Sequence, residues 1–379
     1  FAQNSQDDFG FSVSNNYSGN IIAIGSRNNN SGSINSGFVQ LYENISSSWS
    51  QIGIDILGDS HGDNFGFSVS LDSSGNKIAI GSRYDNSASI NSGYVKLFEN
   101  NNGSWSIIGN KIFGGANGDQ FGWSVALNST GNIIAVGAPY NDQNGTDFGQ
   151  VSIYENISNQ WALKGSPING SLNSGFGRDV SINNSGNLIS IGSPYNIGDN
   201  NGVISIYENF SDFWVPKGVP ISLQNLSSSY SNFGFVVSLS GNGNKIAGSA
   251  PNFKLNGVEV GLVQVFDLEN LCFGCVDSSA LNYNSDVLYG DSSCFYLTYG
   301  CIDTFALNYN ILANVNDSSC TYCNYGCTDL LACNYDSLAT CDDGSCLLTY
   351  GCTDSTSFNY YIGATCDDGS CIPVILGCM

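Results

Sequence analysis

Phe65-Gly66-Phe67-Ser68-Val69-Ser70-Leu71, a turn at Ser74-Gly75-Asn76, then Lys77-Ile78-Ala79-Ile80-Gly81: this stretch decides the fold. The first segment alternates as a strand does and the Gly-Asn turn closes it. The second is apolar on both faces, as an inner strand packed between neighbouring sheets is. Ala79 and Gly81 leave room for that packing. Downstream, Asn91-Ser92-Gly93 turns into Tyr94 to Phe98, and Trp105 to Ile108 supplies a fourth strand before Gly109. The Phe-Gly recurs at Phe9, Phe65, Phe121, Phe176 and Phe233, spaced 56, 56, 55 and 57 residues apart. Several short strands repeated at that period predict an all-β chain, a β-propeller of about five four-stranded blades.

The other units repeat the scheme. Second strands are expected at Ile21–Gly25, Ile133–Gly137, Leu188–Gly192 and Lys245–Gly248, and third strands at Phe38–Tyr42, Val151–Tyr154, Val203–Tyr207 and Val263–Phe266. Trp49, Trp105, Trp161 and Trp214 mark the fourth strands and read either as sugar-stacking platforms or as wedges between blades, the wedge being favoured since a repeated aromatic first solves a repeated packing problem. Trp123 is separate and replaces the Phe that follows Phe-Gly in the first two units. The fifth unit has no Trp strand, which leaves nineteen strands, one short of five full blades. Either the ring closes imperfectly at five, or upstream blades have been cut away.

Composition changes at Leu271. All 14 cysteines follow it, and no lysine or arginine follows Lys254. The chain therefore divides into a propeller over 1–269 and a cysteine-rich region over 270–379. In the latter, units open at Cys275, Cys301, Cys327 and Cys352, and Cys378 opens a fifth that is cut off. With its unusual start at Phe1, the chain reads as a piece of a longer protein. A second cysteine stands 19 residues after each opening one, which favours the pairs Cys275–Cys294, Cys301–Cys320, Cys327–Cys346 and Cys352–Cys371. Cys333 and Cys341 occur together in the third unit and are expected to form an extra bridge. Cys272, Cys323, Cys366 and Cys378 are left without an assigned partner. Units this small replace an oily core with staples, and each Asn-Tyr pair is expected to lay its Tyr over a disulfide. Such bridges persist in oxidising compartments, so the protein is expected to be extracellular or on a cell surface.

Polar positions repeat as regularly. Asp277, Asp303, Asp329 and Asp354 sit two after the opening cysteine, and Asp291, Asp317, Asp343 and Asp368 three before the closing one. Asn282, Asn308, Asn334 and Asn359 open the Asn-Tyr pairs, and Asn284, Asn310 and Asp336 add a further oxygen. Two readings stand. Carboxylates without compensating bases repel, and calcium, which takes six to eight oxygens, would relieve them. Alternatively, Asp and Asn cap turns through neighbouring backbone N–H groups.

The Phe-Gly, the Ile134-Ala135-Val136-Gly137-Ala138-Pro139 core and the Gly-x-Val strand resemble FG-GAP repeats, the blades of integrin alpha-chain propellers. The likeness covers about residues 7–269 and extends to arrays in exported proteins of marine Bacteroidetes and some large viruses. The fourth unit keeps Gly192-Ser193-Pro194, whereas the first two put Arg27 and Arg83 where the proline stands. The resemblance implies adhesion and ligand binding, with calcium in inter-strand loops. Only Asp142-Gln143-Asn144-Gly145-Thr146-Asp147 comes near such a loop, so Asp142, Asn144 and Asp147 are its candidate ligands. The Gly-Cys-Thr-Asp…Asn-Tyr…Cys-Asp-Asp-Gly-Ser-Cys wording resembles a tandem repeat of large surface proteins of marine Bacteroidetes, which suggests a stalk.

Charge excludes some functions. With 32 acidic and 10 basic residues the net charge is -22, which argues against nucleic acid or an anionic membrane as partner. No apolar run is long enough to span a bilayer. His61 is the single histidine, and no catalytic constellation or phosphate loop accompanies it, so no enzyme is expected. The leading expectation is a secreted or cell-surface adhesion protein that binds an extracellular protein or glycan, with a propeller head and a stapled stalk. A purely structural envelope or viral-surface protein, or a carbohydrate-binding propeller of a degradative system, are the alternatives.

Overall fold

The computed structural model describes residues 8–28, 36–85, 91–143, 145–195, 201–223, 230–268, 273–283, 289–290 and 294–375. It is all-β, with no α-helix among these residues. The chain forms two compact units, Phe1–Phe295 and Tyr296–Met379. The first cysteine unit belongs to the former, where Asn282 Nδ2 donates to the Pro216 carbonyl at 3.2 Å.

Five antiparallel sheets follow one another in a propeller arrangement. In the first blade, Phe9–Asn15 pairs with Ile21–Ser26, that strand with Phe38–Ile45, and the last with Ser48–Gln51. The next three blades repeat the order, with second strands Lys77–Ser82, Ile133–Ala138 and Leu188–Ser193 and third strands Tyr94–Asn101, Gln150–Ile157 and Val203–Phe210. The fifth has three strands, Val237–Leu239, Lys245–Ala250 and Leu262–Asp267, so the main strands number nineteen among the described residues. Short segments the sequence reading passed over, such as Ile56–Leu57 and Ile112–Phe113, pair with the third strand beyond its Trp neighbour.

The apolar cores lie between blades. One joins Ile21, Val39 and Leu41 of the first to Phe65, Val69 and Leu71 of the second, and three more follow at the later junctions. Among the described residues, the first and fifth blades are covered on one side only. Val13 is 61% exposed where Val69 is buried, and Val265 is 62% exposed where Leu41 is buried.

The repeated glycines explain the motif. Gly66 has φ +82°, a conformation that L side chains rarely adopt, and it kinks the first strand at a register shift between Phe65 and Ser68. The kink aims the Gly66 carbonyl at the preceding blade, where Ser12 Oγ donates to it at 2.7 Å. Gly81 receives the equivalent carbonyl of Gly122, and a Cβ there would overlap it. Ser68 and Ser124 repeat the serine contact, donating to Gly122 and Gly177 at 2.8 and 2.9 Å. Phe-Gly and Ile-Ala-Ile-Gly are thus two halves of one inter-blade joint.

The tryptophans tie blades at their outer edge. Trp105, Trp161 and Trp214 donate through Nε1 to Ile52, Ile108 and Lys164 carbonyls of the preceding blade, at 3.2, 3.0 and 2.9 Å. Trp49 makes no such bond among the described residues and is 47% exposed.

The cysteine units carry six disulfides among the described residues. Cys275–Cys294, Cys301–Cys320, Cys327–Cys346 and Cys352–Cys371 pair as the spacing predicts. The expected Cys333–Cys341 bridge is not formed: Cys341 pairs with Cys323, and Cys333 with Cys366 of the next unit. A short parallel pairing explains the first, since Tyr325 lies beside Cys341 and brings Cys323, two residues upstream, within reach. Tyr350 lies beside Cys366 in the same register, but Leu348 stands where Cys323 would be, which leaves Cys366 for Cys333. Cys272 and Cys378 lie outside the described residues. The miniature core also differs from expectation. The opening cysteines and Ala280, Ala306 and Ala332 are buried, whereas Tyr283, Tyr309, Tyr335 and Tyr360 stay exposed.

Candidate functional site

In each stapled unit the acidic positions close turns. Asp277, Asp303, Asp329 and Asp354 accept from the N–H two residues on, at Ser279, Phe305, Leu331 and Thr356, at 2.8–2.9 Å. Asp317, Asp343 and Asp368 do the same with Ser319, Ser345 and Ser370 at 2.9 Å. Asn310 and Asp336 accept from Leu312 and Leu338. Side-chain hydrogen bonds from Ser319, Ser345, Thr356 and Ser370, followed by the backbone bonds, lower the carboxyls of Asp317, Asp343, Asp354 and Asp368 below their ordinary value. The Phe305 N–H, followed by the Tyr322 hydroxyl, lowers that of Asp303.

The asparagines act as two-sided clamps. Asn308, Asn334 and Asn359 accept from Thr321, Leu347 and Ile372 and donate to Ser319, Ser345 and Ser370 carbonyls. Asn282 accepts from Phe295. Asn284 and Asp291 lie outside the described residues, as does Asn144. In the third blade Asp142 accepts from the Asp147 N–H at 2.6 Å, while desolvation and the nearby Asp142 raise the Asp147 carboxyl. Among the described residues, no three His, Cys, Asp or Glu side chains gather as a metal site. Most of these residues accept from backbone N–H groups through one side-chain oxygen, which is the turn-capping arrangement.

A different constellation does gather. The residue after each Phe-Gly is Phe11, Phe67, Trp123, Arg178 or Phe235, and these five side chains form a row across the blades. Phe11 and Phe67 lie 4.9 Å apart, and Phe67 and Trp123 4.8 Å, between ring centroids. Arg27 sits 3.8 Å over Phe11, and Arg83 lies 4.5 Å from Phe67 and 5.1 Å from Trp123. The third and fourth blades put Pro139 and Pro194 where those arginines stand, and Arg178 fills the gap, 4.9 Å from Trp123 and 4.2 Å from Phe235. Tyr84 and Tyr140 flank the row.

The row concentrates three of the chain's ten cations. Burial, together with the neighbouring charges of Arg27 and Arg178, lowers the Arg83 pKa, although the guanidinium stays charged. Arg27 is paired with Asp8 at 2.9 Å and Arg83 Nε donates to Asn64 Oδ1 at 3.2 Å, whereas Arg178 Nε is buried and makes no hydrogen bond. Stacking over a ring leaves those guanidinium N–H groups that are not already bonded able to donate to carboxylate or sulfate oxygens. The substitutions of Arg27, Arg83 and Trp123 were visible in the sequence as departures from the repeat. Their convergence with Arg178 was not, because it depends on the twist between blades.

No curated protein matches the chain. Residues 114–154 match the model of the FG-GAP repeat, and that span holds the first two strands of the third blade and most of the third. Its Phe-Gly and Ile-Ala-Val-Gly are the two halves of the joint described above, and the same joint recurs along the propeller. The chain thus carries FG-GAP repeat structure, in a five-blade propeller arrangement followed by a disulfide-rich region.

Proposed function

We propose that this protein is a non-enzymatic extracellular binding protein of the adhesion type. Its propeller takes a protein or glycan ligand bearing carboxylate or sulfate groups, and its cysteine units serve as a stalk. The observation that carries this reading is the arginine–aromatic row, a local positive stripe on a chain of net charge -22. At physiological salt, charges beyond about 8 Å are largely screened, so the stripe rather than the total charge governs a docked group. Six disulfides support an oxidising location. Calcium has no part in this reading.

The test is binding to an array of acidic and neutral glycans and acidic peptides, compared with an Arg83→Ala/Arg178→Ala double variant of unchanged fold by circular dichroism. Binding should favour acidic ligands and fall at least about tenfold in the variant, since each charge-assisted contact contributes about 1.5–3 kcal/mol. Equal binding by both proteins would overturn the assignment.

A further inference from the structure

One position in the repeat changes size from blade to blade. Phe38, Tyr94, Gln150, Val203 and Leu262 occupy the same place, opposite Ser26, Ser82, Ala138, Ser193 and Ala250 on the second strand. In the first two blades an aromatic ring fills it. Phe38 stacks near Phe9 at 6.0 Å, and Tyr94 near Phe65 at 6.2 Å, both rings fully buried where they meet the core. Tyr94 donates its hydroxyl to Asp63 at 2.9 Å, and the Lys111 ammonium lies 3.5 Å from its ring centre. In the third blade Gln150 is held by Gln143 and Asn169.

Among the described residues, the fourth blade leaves the place open. Val203 stands for Tyr94, Ser205 for Lys96, Pro220 for Lys111, and Ser174 for Asp63, so each group that fills or charges the space is replaced by a smaller or neutral one. The result is a cavity of about 430 Å³ bordered by Phe176, Val203, Ser174, Ser205, Tyr207 and Pro220. Phe176 keeps the floor on which Phe65 stacks Tyr94. Ser174 keeps a hydrogen-bonding group where Asp63 receives the hydroxyl.

We propose that this cavity receives an aromatic side chain of a partner polypeptide, tyrosine in preference to phenylalanine. The fold supplies its own precedent, because Tyr94 shows that a phenol ring fits this position two blades earlier. Buried aromatic anchors in such slots are what dominate protein–protein binding. The site is separate from the arginine row and does not depend on it.

N-acetyl-tyrosinamide is the probe, with N-acetyl-phenylalaninamide and methyl glucoside as comparators, read by NMR on the full chain. The tyrosine probe should shift the Val203 methyl and Phe176 ring resonances more than the phenylalanine probe, and the glucoside should leave them unmoved. Val203→Tyr should fill the slot from within, raise the melting temperature and weaken the probe at least about tenfold. Absence of shifts at Val203 in the unaltered protein would overturn the proposal, whether or not the variant folds. So would stronger shifts from methyl glucoside, or undiminished binding by a folded Val203→Tyr.

Discussion

Asp179 shows how one residue can depart from the repeat and leave a measurable trace. It stands where Ser12, Ser68 and Ser124 donate to the next blade, but its carboxylate instead accepts from the Val237 N–H at 2.7 Å. Desolvation outweighs that bond, a second from Val180 and the charge of Arg178, and pushes the carboxyl up to about 7 from 3.8. The folded state therefore holds a proton that the unfolded state has already lost between those values. Stability contributed by the neutral acid is full below 3.8 and is lost as the pH rises towards about 7. Asp179→Ser should remove this component and flatten the stability profile over that window, as measured by urea denaturation at successive pH values. Parallel profiles for the two proteins would contradict it.

Elements in this chain are joined by repeated contacts of modest strength, and these are what the sequence displays best. The Phe-Gly period and the tryptophan spacing were legible because every blade solves the same packing problem with the same residues. Trp161→Phe should cost about 1 kcal/mol, since it removes the bond to Ile108 while keeping an aromatic wedge. Trp49→Phe, whose ring is half exposed, should change stability by less than about 0.5 kcal/mol. Thermal melts of the two variants check both, and equal losses would show that the inter-blade bond is not the cause. The two unexpected bridges were hidden for the opposite reason. Cys333 and Cys341 share a unit in the chain, and only the parallel pairing at Tyr325 and Tyr350, together with Leu348, sends each elsewhere. The arginine row and the cavity of the fourth blade were equally hidden. Both arise from non-repeating residues, and their meaning appears only when neighbouring blades supply the surroundings.

At the scale of the whole molecule, two kinds of cohesion are kept apart along the chain. No cysteine lies before Leu271, so the propeller is held by burial, hydrogen bonds and ion pairs without disulfides. Reduction should therefore leave its β-sheet circular dichroism intact while opening 296–379. Alkylation followed by mass spectrometry should find Cys301, Cys320, Cys323, Cys327, Cys333, Cys341, Cys346, Cys352, Cys366 and Cys371 protected before reduction and labelled after it. Loss of the sheet signal on reduction would show that the two are coupled. The staples also bear on mechanics. A pull applied along 301–371 can run through Cys301–Cys320, Cys327–Cys346 and Cys352–Cys371 and bypass the loops they close, so the oxidised segment extends far less than its residue count would allow. Cutting one bridge such as Cys301–Cys320 would release 19 residues, about 60–70 Å of slack at full extension. The redox state of the surroundings would then set how far this segment can extend.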